Sequence, residues 1–139
     1  MKKILILCTG NSCRSQMAHG YFSHLERAKL EVYSAGIETH GVNPRAIAIM
    51  SDDGIDISKH TSNNVDEYLD IDFDYIITVC DHAHENCPYI PAKSAVRIHH
   101  DFYDPSKLIS EDEDEIYKAF ARTRDEIKSF VKAFLKELS

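Results

Sequence analysis

The sequence is short of basic residues, of glycine and proline, and of long apolar runs. It has 16 lysines and arginines against 23 acidic residues, a net charge of -7 with the histidines neutral. This charge provides no general basic field that would hold nucleic acid or an anionic membrane surface. With 43% apolar residues, 5 Gly and 4 Pro, the composition excludes disordered and collagen-like proteins. We expect one domain over residues 1–139, which is long enough to bury a core without disulfides.

The apolar run at the start of the chain is also too short for an export signal. It comprises ILILC at 4–8, less than the ~7–15 residues that a secretory signal needs, and the polar TGNS follows it at once. We therefore expect a cytoplasmic protein that does not bind a membrane. In that reducing compartment, the 4 cysteines are expected to carry catalysis, metal binding or redox chemistry more often than structural disulfides.

Apolar segments of two kinds alternate along the chain. Short continuous runs indicate strands, and apolar residues at helical spacing indicate helices. Asn43 is the expected cap of the second helix, with Pro44 in its first turn and Gly54 at its end. Strands that alternate with helices predict an α/β fold of three layers, a four-stranded parallel sheet flanked by helices. The strands are expected at 3–8, 31–37, 72–80 and 95–100, and the helices at 15–30, at 43–54, and from the acidic run at 110–116 to the end of the chain.

Two cysteines follow predicted strands directly. Cys8 ends the first strand, and Cys80 ends the third. In sheets of this class, ligands bind beyond the carboxyl ends of the strands. The pattern therefore predicts that two thiol-bearing loops converge on one site.

The loop CTGNSCRS at 8–15 has the features of an anion site. It runs from a strand into a helix N-terminus, where unpaired backbone N–H groups and the helix dipole favour a tetrahedral anion. Gly10 permits a positive φ, and Asn11 tolerates a left-handed conformation while its amide braces the loop. Cys13 is either part of the binding loop or a small residue without a chemical role. The predicted anion-binding residues are Thr9, Gly10, Asn11, Ser12, Cys13 and Arg14.

The same groups predict a reactive thiolate. The N–H groups, the dipole and Arg14 all favour negative charge, so we expect the pKa of Cys8 to fall from ~8.5 into the ~3.5–7.5 range of reactive cysteines. Ser15 can donate its hydroxyl to that sulfur, and the Arg14 guanidinium can hold two oxygens of the ligand. Cys8 is the expected nucleophile.

Six segments of the chain resemble the low-molecular-weight tyrosine phosphatases and, within that fold, the thioredoxin-coupled arsenate reductases. Cys80 and Cys87, together with DPSK at 104–107 where the phosphatases usually carry aromatic residues, favour the reductases. The resemblance covers nearly the whole chain. In order along it, the segments are CTGNSCRSQMAHGY, YSAGIETHGVNPRAI, DISKHTS, VCDHAHENCP, DFYDP and RTRDEIK.

The resemblance implies a mechanism. Cys8 attacks arsenate, and Asp104 protonates the departing oxygen. Cys80 then attacks Cys8 and releases arsenite, and Cys87 converts the Cys8–Cys80 disulfide into a Cys80–Cys87 disulfide that thioredoxin reduces. We expect residues 80–91 to change conformation on oxidation. The expected molecule is a monomer without a bound cofactor, for which phosphate or sulfate competes with arsenate.

Two other functions remain open. One is a phosphatase acting on phosphotyrosine or another phosphomonoester, in which Cys80 and Cys87 are incidental. The other is a thiol- or metal-responsive binding protein, because CDHAHENC also contains His82 and His84, and sets of cysteine and histidine can bind zinc.

A potassium site, which some members of the resembled family have beside the anion loop, is not expected. The matching positions here are Asn11, His19, Ser34 and Asn63, which lack two of the usual acidic oxygens. An imidazole at His19 disfavours a hard cation. We therefore predict little effect of potassium.

Overall fold

The computed structural model describes residues 2–25, 30–79 and 95–138. Its strands are β1 (Lys2–Cys8), β2 (Leu30–Gly36), β3 (Tyr75–Thr78) and β4 (Val96–His99). Its α-helices in these ranges are α1 (Arg14–Leu25), α2 (Pro44–Asp52) and α3 (Glu113–Leu138). Short 3-10 helices occupy Val65–Tyr68 and Pro105–Lys107.

The four strands form one parallel sheet in the order β2-β1-β3-β4. The central strand β1 is buried from Ile4 to Cys8, which explains its uninterrupted apolar run. Cys8 pairs with Gly36, so the ends of β1 and β2 meet at one edge of the sheet. The predicted α/β fold with a four-stranded parallel sheet is confirmed.

Each strand differs from its predicted bounds by one to three residues at one or both ends, and two of these differences concern the site or the sheet pairing. Leu30, predicted as the end of the first helix, begins β2 because it pairs with Lys2 in the parallel ladder. The third strand ends at Thr78, and the backbone N–H of Val79 still donates to Leu7 O at 2.9 Å. Residues 80–94 lie outside the described ranges. They include Cys80 and the segment 80–91, for which a change of conformation on oxidation was predicted.

Helix α2 begins and ends as predicted. The Asn43 side chain accepts a hydrogen bond from Arg45 N at 2.8 Å, and Pro44 occupies the first turn. Gly54 follows the helix with a φ of 79°, a conformation that favours glycine. These local signals determine where α2 begins and ends.

Helix α3 packs against α1 and α2. Its first turn is acidic, as predicted, and its predicted apolar face is buried over most of its length. Tyr21 and Lys128 both donate to Asp53 Oδ2, at 2.7 and 2.9 Å, and so link all three helices. In the described part of the chain, no helix has the length and apolarity needed to cross a membrane. The buried residues of the α3 face are Phe120, Ile127, Val131, Phe134 and Leu135.

Candidate active site

The loop between β1 and α1 has all its carbonyl groups turned outward. Each carbonyl oxygen from Thr9 to Cys13 accepts a hydrogen bond from elsewhere in the protein. Because the carbonyl and the next N–H point in opposite directions across a trans peptide, the N–H groups of residues 10–14 are turned toward the inside of the loop. The donors are Glu38 N to Thr9, His40 N and Ser62 Oγ to Gly10, Gln16 Nε2 to Asn11, Asn43 N to Ser12, and Met17 N to Cys13.

These inward N–H groups lie where the sequence predicted an anion site. Those of Gly10, Asn11, Ser12 and Cys13 donate to none of the residues that the structure describes. They lie at the N-terminus of α1, where the helix dipole adds positive potential. The arrangement can hold a tetrahedral oxyanion against the loop.

Asn11 supports this loop from behind, as the sequence predicted. It has a φ of 47° and is fully buried. Its Nδ2 donates to Ser15 Oγ at 2.8 Å, and its Oδ1 accepts from Asn63 N at 2.8 Å. The side chain therefore holds the left-handed turn, and neither Asn11 nor Ser15 lines the cavity in front of the loop.

The role expected of Gly10 is wrong. Gly10 does not have a positive φ. Among the glycines that the structure describes, those with a positive φ are Gly41 and Gly54. A Cβ at position 10 would lie 2.3 Å from Nδ1 of His40, an exposed side chain that can turn aside. A Cβ at Gly36 would lie 2.4 Å from Glu38 O and 2.7 Å from Asn11 N, which are backbone atoms. Close packing therefore selects glycine at position 36.

A cavity of about 350 Å³ opens in front of the loop. Asp104 enters it from the loop after β4, so this part of the predicted site is assembled by the fold. His40 was not identified from the sequence, although it follows the carboxyl end of β2 and therefore lies at the functional edge. The residues that line the cavity are Cys8, Thr9, Gly10, Ser12, Cys13, Arg14, His40, Asp104, Ser106 and Lys107.

Arg14 joins the anion loop to the Asp104 loop. Its Nη1 donates to Phe102 O at 2.8 Å, and its Nη2 donates to Asp104 Oδ2 at 3.3 Å. Asp101 Oδ1 lies 3.8 Å from Nη1. With 7% of the residue exposed, Arg14 is a buried cation whose charge is balanced by these carboxylates.

Asp104 both begins a turn and faces the cavity. Its Oδ1 accepts hydrogen bonds from Ser106 N at 3.0 Å and Ser106 Oγ at 2.6 Å, which caps the 3-10 helix at Pro105–Lys107. Its Oδ2 faces Arg14. The turn-forming role of an Asp-Pro pair and a chemical role are therefore compatible, because each uses a different carboxyl oxygen.

The two cysteines of the loop have different surroundings. Burial, with a smaller contribution from Asp104, raises the pKa of Cys13 to about 12, against the opposing effect of Arg14. Cys13 is therefore a neutral thiol at pH 7. Cys8 lies at the end of β1 and lines the same cavity. Cys80 and Cys87 are outside the described ranges.

The four positions matched to a potassium site make hydrogen bonds to protein groups. His19 Nδ1 lies 2.7 Å from Ser34 Oγ, and Asn63 Oδ1 accepts from Thr61 Oγ1 at 2.8 Å. Burial, and then the nearby His60, lowers the pKa of His19 to about 4, so the ring is neutral at pH 7. The small effect of potassium stays a prediction.

The zinc interpretation is not tested by these residues. Among the residues that the structure describes, no group of three or more His, Cys, Asp or Glu side chains could hold a metal ion. The proposed ligands Cys80, His82, His84 and Cys87 lie outside that part of the chain.

The chain is similar to proteins of known family over nearly its whole length. Residues 3–139 match the family described as low molecular weight phosphotyrosine protein phosphatase. An arsenate reductase of Halalkalibacterium halodurans is 47% identical over 133 residues, which cover 96% of this chain and 94% of that protein. Arsenate reductase 1 of Staphylococcus epidermidis is also 47% identical over 133 residues, 96% of this chain and 95% of that protein. A solved structure of an arsenate reductase in the phosphate-binding state has a TM-score of 0.81 and 31% identity, with 100% of both chains covered.

Proposed function

The chain belongs to the low molecular weight phosphotyrosine protein phosphatase family, and on this basis we propose that it reduces arsenate to arsenite with Cys8 as the nucleophile. The observation that carries the proposal is the single cavity in which Cys8, Arg14 and Asp104 meet in front of an inward-facing set of N–H groups. The two arsenate reductases at 47% identity support the choice of arsenate.

The first step is a substitution at arsenic. The loop N–H groups and Arg14 hold the arsenate oxygens and stabilise the negative charge that develops on them. The Cys8 thiolate forms a sulfur–arsenic bond while one arsenic–oxygen bond breaks. In this step Arg14 turns from Asp104 to the arsenate oxygens, and Asp104 takes up a proton from the solvent on Oδ2 in place of the Arg14 hydrogen bond. The departing hydroxide takes this proton and leaves as water. The role we assign to Ser15 is a hydrogen bond from its hydroxyl to the Cys8 thiolate, for which its O–H remains available because its oxygen accepts from Asn11 Nδ2.

The second stage is a relay through three cysteines. The Cys80 thiolate attacks the Cys8 sulfur, the sulfur–arsenic bond breaks, and its electron pair reduces arsenic from the +5 to the +3 state. Arsenite leaves, and a Cys8–Cys80 disulfide remains. Cys87 then attacks Cys80, which frees the Cys8 thiolate, and thioredoxin reduces the resulting Cys80–Cys87 disulfide. Because arsenate and phosphate have nearly the same shape and charge, phosphate competes for the site.

A phosphatase acting on phosphomonoesters is the second candidate. The N–H groups, Cys8, Arg14 and Asp104 suit phosphate transfer equally well. The rim of the cavity favours a free oxyanion, because Ser106 and Lys107 line it where an aromatic ester would need apolar contacts.

One assay separates these functions. Arsenate-dependent oxidation of NADPH is measured with thioredoxin and thioredoxin reductase for the wild type and for Cys8→Ser, Cys80→Ser and Cys87→Ser. The proposed relay requires that each substitution abolish turnover. Hydrolysis of a phosphomonoester that needs only Cys8 would identify a phosphatase, and no turnover of either substrate would leave a binding protein.

A further inference from the structure

The peptide between Asn11 and Ser12 is held differently from its neighbours in the anion loop. The carbonyl oxygens of Thr9, Gly10, Ser12 and Cys13 each accept from a backbone N–H group. In the described part of the chain, the carbonyl oxygen of Asn11 accepts only from a side chain, the Nε2 of Gln16 at 3.0 Å. The direction of the Ser12 N–H group therefore depends on one side chain.

Both the nitrogen and the oxygen of the Gln16 side-chain amide contact other protein groups. It is fully buried, and its Nε2 donates to Asn11 O and to Thr61 O, each at 3.0 Å. Its Oε1 lies 3.0 Å from His60 Nδ1. Since both hydrogens of the Gln16 amide are directed at carbonyl oxygens, Oε1 is the acceptor and His60 Nδ1 carries the proton that it donates.

His60 is itself held in place by neighbouring groups. Its backbone N–H donates to Ile57 O at 3.0 Å, and its ring lies on the ring of His19, with 4.5 Å between centroids. His19 in turn contacts Ser34 on β2. A chain of contacts through the two imidazole rings thus connects the Gln16 amide to the sheet.

Without Gln16, the peptide after Asn11 can rotate. No other described hydrogen bond fixes its carbonyl, and rotation needs only a change in the two soft dihedral angles beside the peptide plane. A rotated peptide would withdraw the Ser12 N–H group from the anion and turn a carbonyl oxygen toward it.

We propose that Gln16, oriented by His60, is a positioning residue that keeps the Ser12 N–H group directed into the oxyanion site. The proposal rests on the anion site of the proposed function, but it concerns binding and not turnover. Gln16 touches no reacting atom. Its effect reaches the ligand through one peptide group.

The test is phosphate binding by reduced protein, measured by calorimetry. Gln16→Met removes the amide at similar length, and we expect phosphate to bind about ten- to a hundredfold more weakly, as for the loss of one hydrogen bond to a charged group. Tyr21→Phe is the control, since it removes a part-buried hydrogen bond, to Asp53, from the same helix. It should lower stability without changing phosphate affinity.

Nuclear magnetic resonance separates positioning from general damage to the fold. Phosphate should shift the amide signals of Gly10, Ser12 and Cys13 in the wild type. In Gln16→Met, the shift of Ser12 should be lost selectively. Phosphate affinity within twofold of the wild type, or an unchanged shift of Ser12, would overturn the proposal.

A second pair of variants tests the link to His60 and covers the case in which Gln16→Met does not fold. His60→Asn keeps an N–H donor near the position of Nδ1, whereas His60→Leu does not. We expect Asn to retain phosphate affinity and Leu to lose it, and equal affinities would refute the role of His60. Wild-type protein that binds phosphate but does not reduce arsenate would contradict the proposed function alone.

Discussion

Replacement of Gly36 by alanine tests how closely the sheet edge supports the anion loop. Gly36 ends β2 opposite Cys8. An added Cβ would lie 2.4 Å from Glu38 O, 2.7 Å from Asn11 N and 2.8 Å from Thr9 O, all below the 3.4 Å at which ordinary contact begins. These are backbone atoms, so no side-chain rotation can relieve the overlap. The anion loop or the loop after β2 must move.

The expected cost follows from this overlap. Overpacking in a close-packed region destabilises by about 1–3 kcal/mol, and each kcal/mol lowers Tm by about 2–4 °C in a chain of this size. Displacement of Asn11 N also disturbs an N–H group of the anion site. We therefore expect Gly36→Ala to lower Tm and to weaken phosphate binding by roughly tenfold or more, the effect of losing one charged hydrogen bond.

Gly54→Ala is the matched control for Gly36→Ala. Gly54 has a φ of 79°, and its added Cβ would meet no atom within 4 Å. The strain of about 1–2 kcal/mol should lower Tm by a similar amount, but phosphate affinity should stay unchanged. Thermal melting and calorimetry with phosphate measure both effects. If Gly36→Ala bound phosphate as the wild type does, the argument that the sheet edge positions the loop would be wrong.

Three further predictions follow from the site. Asp104→Asn can still accept the hydrogen bonds from Ser106 but cannot donate the proton, so the kcat for arsenate should fall about 10²–10⁴-fold with little change in KM. A loss of less than tenfold in steady-state kinetics would argue against Asp104 as the acid. Because the pKa of His19 is lowered from 6.5 to about 4, the unfolded state binds more protons between these values, and stability should fall as the pH drops from 6.5 toward 4. The urea concentration at which half of the protein is unfolded should decrease less over this pH range in His19→Gln than in the wild type. Equal decreases in the two proteins would refute this role of His19. With its pKa raised to about 12, Cys13 should resist iodoacetamide at pH 8 while Cys8 reacts, as mass spectrometry of the peptides can check.

Much of the fold could be predicted from local patterns in the sequence. The short apolar run ILILC predicted a strand, and β1 is buried from Ile4 to Cys8. Asn43, Pro44 and Gly54 marked the limits of α2, because capping and positive φ depend on residues next to the helix end. The same local reasoning erred at Leu30, where pairing with Lys2 across the sheet decided the strand.

The candidate site was predicted only in part. Cys8, Arg14 and Asp104 were expected to meet, and they line one cavity. His40 was missed, because its contact with the loop comes from the path of the chain after β2. Gly10 was expected to permit a positive φ, but the residue of this loop with a positive φ is Asn11.

By itself, the sequence determined the order of strands and helices along the chain, the loop that carries the proposed nucleophile, and the family. These features depend on patterns among residues that are close in sequence, such as the period of apolar residues, the helix caps and the spacing from Cys8 to Arg14. Only the tertiary structure decided which way the loop peptides point. Each carbonyl of that loop is held by a donor from outside it, and donors such as Glu38 N, His40 N and Asn43 N come from a loop distant in sequence. No pattern within the loop could specify them, because a hydrogen bond across the fold depends on where separate segments pack.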